Sequence, residues 1–196
     1  MTDTLATRRL STSTVVRIVL ALGAVFGVGT VLTLAAWTDN GTAQATFSTG
    51  NIDITLDGDD GDPTAYEWAN LSASGMGDGA SKYANLVIAN AGSLDFTYAM
   101  DVTNASGDAD LYAALRLSAT VVPDGTICDA AALAAGENKT VLFTDATLDD
   151  AAISGRSLEA GEDETLCFRV SLPEGSSSGL QSKSTVADFV FTATQS

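Results

Sequence analysis

The sequence predicts an all-β domain, an antiparallel β-sandwich of jelly-roll type, preceded by an N-terminal signal-peptide helix. Three observations carry this. Leu94, Phe96, Tyr98, Met100 and Val102 alternate with Asp95, Thr97, Ala99 and Asp101, the period-two spacing that buries one face of a strand and wets the other. About eight short runs of this kind are separated by Gly, Asn, Asp and Ser turns, the rhythm of a sandwich rather than of a βαβ sheet. Finally, Ile18 to Ala36 carries no charge and follows Arg8, Arg9 and Arg17, which is the basic-then-apolar layout of an export leader.

The leader divides the chain. Residues 1–36 read as a signal peptide with an apolar helix over 15–36, and Ala35-Ala36 are small enough for a signal-peptidase pocket. The cut is placed between Ala36 and Trp37. A second reading stands beside it: nineteen uncharged residues from Ile18 to Ala36 approach bilayer-spanning length, and Gly23 and Gly27 have helix-packing spacing. In that case the leader stays as an anchor, the one route by which the chain meets a membrane. Residues 37–196 are enough for one domain with a real core.

Taken in order, Thr42 to Ser48 is a light strand with Ala43, Ala45 and Phe47 on one face, and Asn51 to Asp57 repeats the pattern with Ile52, Ile54 and Leu56. Thr49-Gly50-Asn51 turns between them. Asp57, Asp59, Asp60 and Asp62 form the densest acidic cluster; a calcium loop is conceivable there, but Gly61 and Trp68 stand where the EF-hand template needs ligands. A solvated turn is the simpler reading. Ala65 to Met76 reads as a strand end and a loop. Lys82 to Ala89 is a strand, turned by Asn90-Ala91-Gly92-Ser93 into the strongly alternating run described above.

Leu111 to Val121 fits both periods; Thr120-Val121-Val122, being β-branched, favours strand, with a helical start open at Leu111-Ala114-Leu115. Asp129 to Gly136 is the best helix candidate of the mature part. Thr140 to Thr144 is a strand, Asp145 to Gly155 holds another helical turn, and Leu158 to Glu162 is a turn. In Thr165 to Leu172 the residues Leu166, Phe168, Val170 and Leu172 share one face. Thr185 to Thr194 closes the domain, with Phe189, Phe191 and Ala193 alternating.

Composition removes several chemistries. Formal net charge is −16 for the whole chain; Arg8, Arg9 and Arg17 against Asp3 give the leader +2, so residues 37–196 carry −18. Nucleic acids and anionic membranes reward cations, so neither is an expected partner. There is no histidine, hence no Ser-His-Asp or Cys-His catalysis and no H-E-x-x-H zinc site. Cys128 and Cys167 both follow the leader; an even count in an exported chain favours one disulfide, worth about 3–4 kcal/mol on loop-entropy grounds, over two free thiols. With Leu166 and Phe168 facing the core, Cys167 points outward, so the bridge would staple the Cys128 loop across the outer side of the sheet.

Three stretches carry a resemblance. Ala35-Ala36-Trp37-Thr38-Asp39 with Ala45-Thr46-Phe47-Ser48-Thr49-Gly50-Asn51-Ile52-Asp53-Ile54, then Asn90-Ala91-Gly92-Ser93-Leu94, then Gln181-Ser182-Lys183-Ser184 and Phe191-Thr192-Ala193-Thr194-Gln195, together resemble the TasA/camelysin family. The resemblance implies export through a SipW-type signal peptidase, secretion to the cell surface or biofilm matrix of a bacterium, and a jelly-roll subunit polymerising into extracellular fibres. It also implies that the segment from Trp37 to Ser48 is donated as a strand to a second copy or a related matrix subunit, with Trp37, Ala43, Ala45 and Phe47 filling successive pockets. The metallopeptidase label attached to camelysin finds no zinc motif here.

The expected function is therefore a secreted, non-catalytic structural subunit of a fibre or matrix, without a cofactor. One alternative is a monomeric cell-surface binding or adhesion module, cation-dependent through Asp57, Asp59, Asp60 and Asp62. Another is a hydrolase working through paired carboxylates, for which no motif singles out a pair.

Overall fold

The computed structural model describes residues 11–28, 44–45 and 48–196. Two units are separated, Met1–Phe47 and Ser48–Ser196. In the first, α1 spans Thr12–Val28, seventeen residues with Arg17 as the one charge. It begins three residues before the expected apolar helix, whose remainder at 29–36 lies outside the described residues, as do Ala36 and Trp37 at the expected cut. Among the described residues no helix is long and apolar enough to cross a membrane.

The second unit is built from eight strands: β1 Ile54–Leu56, β2 Ser81–Asn90, β3 Phe96–Gly107, β4 Arg116–Val122, β5 Thr140–Thr147, β6 Ile153–Leu158, β7 Asp163–Ser171 and β8 Thr185–Gln195. Two short helices interrupt them, α2 Ala109–Ala114 and α3 Ala130–Leu133. The strands form a five-stranded sheet in the order β1-β2-β7-β4-β5 and a three-stranded sheet in the order β6-β3-β8. Every pairing is antiparallel. The core lies between the sheets, with Leu86, Ile88, Leu117, Leu166 and Phe168 from one and Phe96, Tyr98, Met100 and Ile153 from the other.

Alternation explains most of this. In β3 the burial runs inward at Phe96, Tyr98, Met100 and Val102 and outward between them, which is the pattern of a strand with one wet face. Register follows from it: Ala84 of β2 and Ala119 of β4 both face Phe168 of β7, small residues flanking a large one.

Two regions differ from expectation. Leu111–Val121 is not one strand: Asp108 caps α2 by accepting the Leu111 N–H at 2.9 Å, and Arg116 donates to the carbonyls of Ala113, Ala114 and Leu115 at 2.9–3.0 Å. Capping at both ends holds a helix of only six residues, and strand begins after it. The second difference is β6, which falls where a helical turn and a loop are expected. Ile153 and Leu158 are five residues apart and would face opposite ways in a regular strand, yet both are buried. Gly155, at φ 64°, coincides with a register shift in which Ile153 to Arg156 opposes only Met100 to Tyr98; the bulge returns both ends to the core. Elsewhere the changes are smaller. Ala65–Met76 contains no strand among the described residues, α3 is shorter than Asp129–Gly136, and β5 runs on to Thr147.

Candidate functional site

One end of the sandwich gathers sequence stretches that are far apart in the chain. Asn51 donates its N–H to the Ser93 hydroxyl at 3.1 Å, and its carbonyl accepts from the N–H groups of Ser93 and Leu94 at 2.9 and 3.2 Å. A Cβ on Gly92 would stand 2.6 Å from the Asn51 carbonyl oxygen, so the close approach of the two segments requires glycine there. Buried Asn90 donates to the carbonyls of Leu94 and Leu158 and accepts from the Gly92 N–H, at 2.9–3.2 Å. The chain's C-terminal stretch ends beside them: Phe96 pairs with Gln195, and the Ser196 N–H donates to the Asp95 carbonyl. Asn51 and the end of β8 thus both lie against the stretch from Ser93 to Phe96.

Along β8 lies an open side. Here β1 is the outermost strand of one sheet and β8 of the other. Between them is a cavity of about 560 Å³ lined by Ile54, Leu56, Trp68, Leu71, Phe189 and Phe191, among others. Among the described residues β8 pairs with β3 alone, so its other edge presents a row of backbone N–H and C=O groups without a partner strand. The inward residues Ala187, Phe189, Phe191 and Ala193 are packed against the core but only half-buried. Trp68 closes the inner part of this gap, edge-on to Phe168 at 5.1 Å and to Phe189 at 5.4 Å, its indole N–H donating to the Asn85 carbonyl at 3.3 Å.

The opposite face of the five-stranded sheet is sealed. Cys128 and Cys167 are joined by a disulfide, with their Cα atoms 5.1 Å apart and a sequence separation of 39. Cys167 lies on the outer side of β7, opposite Asn85 of β2 and Thr120 of β4. It is nonetheless fully buried, under Ala132 and Leu133 and beside Val122. Asn85 donates to the Thr126 carbonyl at 2.6 Å and Thr120 to the Leu133 carbonyl at 3.0 Å, which lay the 123–134 segment on the sheet.

A polar clamp joins the two sheets. Arg156 of β6 donates from Nε and Nη2 to the two oxygens of Glu164 on β7, at 2.8 and 2.5 Å, and the Tyr98 hydroxyl donates to Glu164 Oε1 at 2.5 Å. Burial, reinforced by the bond to Glu164, raises the Tyr98 phenol above its ordinary pKa, and the bond to Glu164 raises the Arg156 guanidinium further. The Glu164 carboxylate thus accepts three hydrogen bonds, two from the guanidinium fork and one from the phenol, and these tie β3 and β6 to β7.

The acidic turn is used for local structure. Asp57 accepts the Val87 N–H at 2.8 Å and the Tyr66 hydroxyl at 2.7 Å, and Asp59 accepts the Gly61 N–H at 2.8 Å. The Asp57 bond, then burial, pushes the Tyr66 phenol up to about 12. Asp60 and Asp62 are exposed. Among the described residues no group of three or more acidic or cysteine side chains that could hold a metal ion is found. Of the expected donor residues, Ala45 is exposed and outside any strand, and Trp37, Ala43 and Phe47 lie outside the described residues. The clamp gave no sequence signal, because its Arg156 sits in the bulged strand; Trp68 was visible only as an apolar residue in a loop.

Comparison with known proteins finds no matching family model and no matching curated relative.

Proposed function

We propose that the chain is the precursor of a secreted, non-catalytic structural subunit of an extracellular fibre or biofilm matrix, of the TasA/camelysin kind. In this reading α1 belongs to the signal-peptide helix, a SipW-type peptidase cuts between Ala36 and Trp37, and the two-sheet unit is a jelly-roll subunit. The freed segment from Trp37 to Ser48 then adds as a strand to a second copy or a related matrix subunit.

The observation that carries this is the edge of β8, without a partner strand among the described residues, beside an apolar cavity. β8 has eleven residues and the proposed donor twelve, so the two match in length at about 3.3 Å per residue. Each backbone hydrogen bond gained contributes only about 0.5–1.5 kcal/mol net. Ordering the donor costs about 1–2 kcal/mol per residue, so Trp37, Ala43, Ala45 and Phe47 must bury apolar surface against Phe189, Phe191, Leu71 and their neighbours to make addition favourable. Asn51 and the end of β8 both lie against the stretch from Ser93 to Phe96, so the donor would leave from that end of the sandwich. The disulfide agrees with an oxidising compartment.

N-terminal sequencing of the exported form, with electron microscopy of the same sample, tests the reading. A mature start at Trp37 and fibres that vanish when residues 37–48 are removed are expected. A start at Met1 in membrane-retained material, or fibres indifferent to the truncation, overturns it.

A further inference from the structure

Four of the seven asparagines head an Asn-x-Ser/Thr triplet: Asn40-Gly41-Thr42, Asn70-Leu71-Ser72, Asn104-Ala105-Ser106 and Asn138-Lys139-Thr140. About one residue in five is Ser or Thr, so chance alone places roughly one or two such triplets among seven asparagines. Asn40 lies outside the described residues. At each of the other three, the asparagine and the hydroxyl residue two places on are both exposed.

The remaining asparagines divide from these by structure. Asn85 donates to the Thr126 carbonyl, Asn90 is buried and bonded to Leu94, Leu158 and Gly92, and the Asn51 side chain accepts from Ser93. The residues two places after them are Val87, Gly92 and Asp53. These three asparagines lack the triplet; among the triplet asparagines, Asn104 also accepts from the Thr185 hydroxyl, at 3.5 Å, through its Oδ1, which leaves its Nδ2 free of that bond.

Each triplet also sits where the backbone departs from regular structure. Asn70 is in the turn after Trp68, where the Leu71 N–H donates to the Trp68 carbonyl at 3.2 Å. Asn104 and Ser106 flank a register shift between β3 and β8. Asn138, at φ 57°, is in the turn that opens β5. None of the three asparagines itself lines the cavity beside β8, whereas Leu71 and Ser72, next to Asn70, and Thr185, bonded to Asn104, do.

We propose that Asn70, Asn104 and Asn138 are acceptors for N-linked oligosaccharide, transferred during export from a polyprenyl-diphosphate carrier. The Asn Nδ2 forms a bond to C1 of the first sugar and loses one proton. The bond from C1 to the diphosphate oxygen breaks, the carrier leaves as polyprenyl diphosphate, and nothing is oxidised or reduced. A glycan at exposed turns adds a bulky, solubilising surface. This inference rests on the export half of the reading above and not on polymerisation.

The test is intact-mass measurement and peptide mapping of the full chain produced by its own organism, from medium and from cells. Sugar-bearing peptides containing Asn70, Asn104 and Asn138 are expected, with the Asn51 peptide unmodified. Ser72→Ala, Ser106→Ala and Thr140→Ala each alter an exposed hydroxyl and keep the asparagine; each should remove its own mass increment and leave the other two. Unmodified protein in the medium, or increments that survive these substitutions, overturns the proposal and leaves export standing. Modified protein held on the cell supports it and overturns release. Unmodified protein confined to the cytoplasm overturns both.

Discussion

Strand β7 is paired on both edges and covered on both faces, whereas β8 is paired with β3 alone among the described residues and half-covered on its inner face. In β7 three consecutive residues, Leu166, Cys167 and Phe168, are fully buried, which a strand achieves only when something seals its outer side. The disulfide-tied segment does that. In β8 burial alternates along the whole strand, and Val186 and Val190 are exposed on the outer face. On the proposed reading the contrast separates two tasks: the five-stranded sheet concentrates the interactions that hold the fold, and the three-stranded sheet offers the edge on which another chain would add.

Changes in the sealed sheet should then cost the most stability. Phe168→Ala empties a fully buried site and should lose about 3–5 kcal/mol in denaturant unfolding, whereas Phe189→Ala, on a half-buried position, should lose about 1–2 kcal/mol while weakening assembly. Equal losses would erase the contrast. Cys128→Ser with Cys167→Ser removes a cross-link over about 40 residues and should cost about 4 kcal/mol on the loop-entropy estimate. Unfolding with and without reductant checks this, and the double variant should no longer respond to reductant.

The clamp between the sheets comes next. Tyr98→Phe removes one bond to Glu164 and should cost about 1–3 kcal/mol. The Tyr98 phenol is raised in the folded chain above its ordinary value of 10.0, so its contribution is complete below about pH 10 and is lost as pH climbs past it. Tyr98→Phe should accordingly flatten part of the alkaline loss of stability; Tyr66 and Tyr112, both pushed up to about 12, retain the rest. The smallest effect concerns Asp78, whose carboxyl is lowered by the Gly175 and Ser176 N–H groups. Its contribution is present above the unfolded value of 3.8 and fades as pH falls through the lower folded value. Asp78→Asn should make acid unfolding slightly less steep, read from melting curves taken at descending pH.

How far the sequence reports this architecture depends on the element. β3 and β8 are legible because each buries one face, so Phe96 to Val102 and Ala187 to Ala193 alternate cleanly. β7 is legible on its inner face alone; the burial of Cys167 depends on a segment far away in the chain. β6 is not legible, since the Gly155 bulge breaks the period on which strand reading relies. α2 sits in a run that satisfies both periods, and the Asp108 and Arg116 caps decide it. Of the candidate site, the Asn51 and Asn90 stretches are visible as separate motifs, but their contact through Gly92 is tertiary. The open edge of β8 has no sequence signal at all, because whether a strand is outermost depends on its neighbours.

The most direct measurement of the division of labour is residue-by-residue amide hydrogen exchange on the mature protein, before and after concentration into fibres. The expected result is slowed exchange across Thr185–Gln195 and across residues 37–48, with Thr140–Thr147, the edge strand of the sealed sheet, unchanged. Fibres in which β8 exchanges as fast as in the free subunit, or in which the new protection falls on β5, would contradict it.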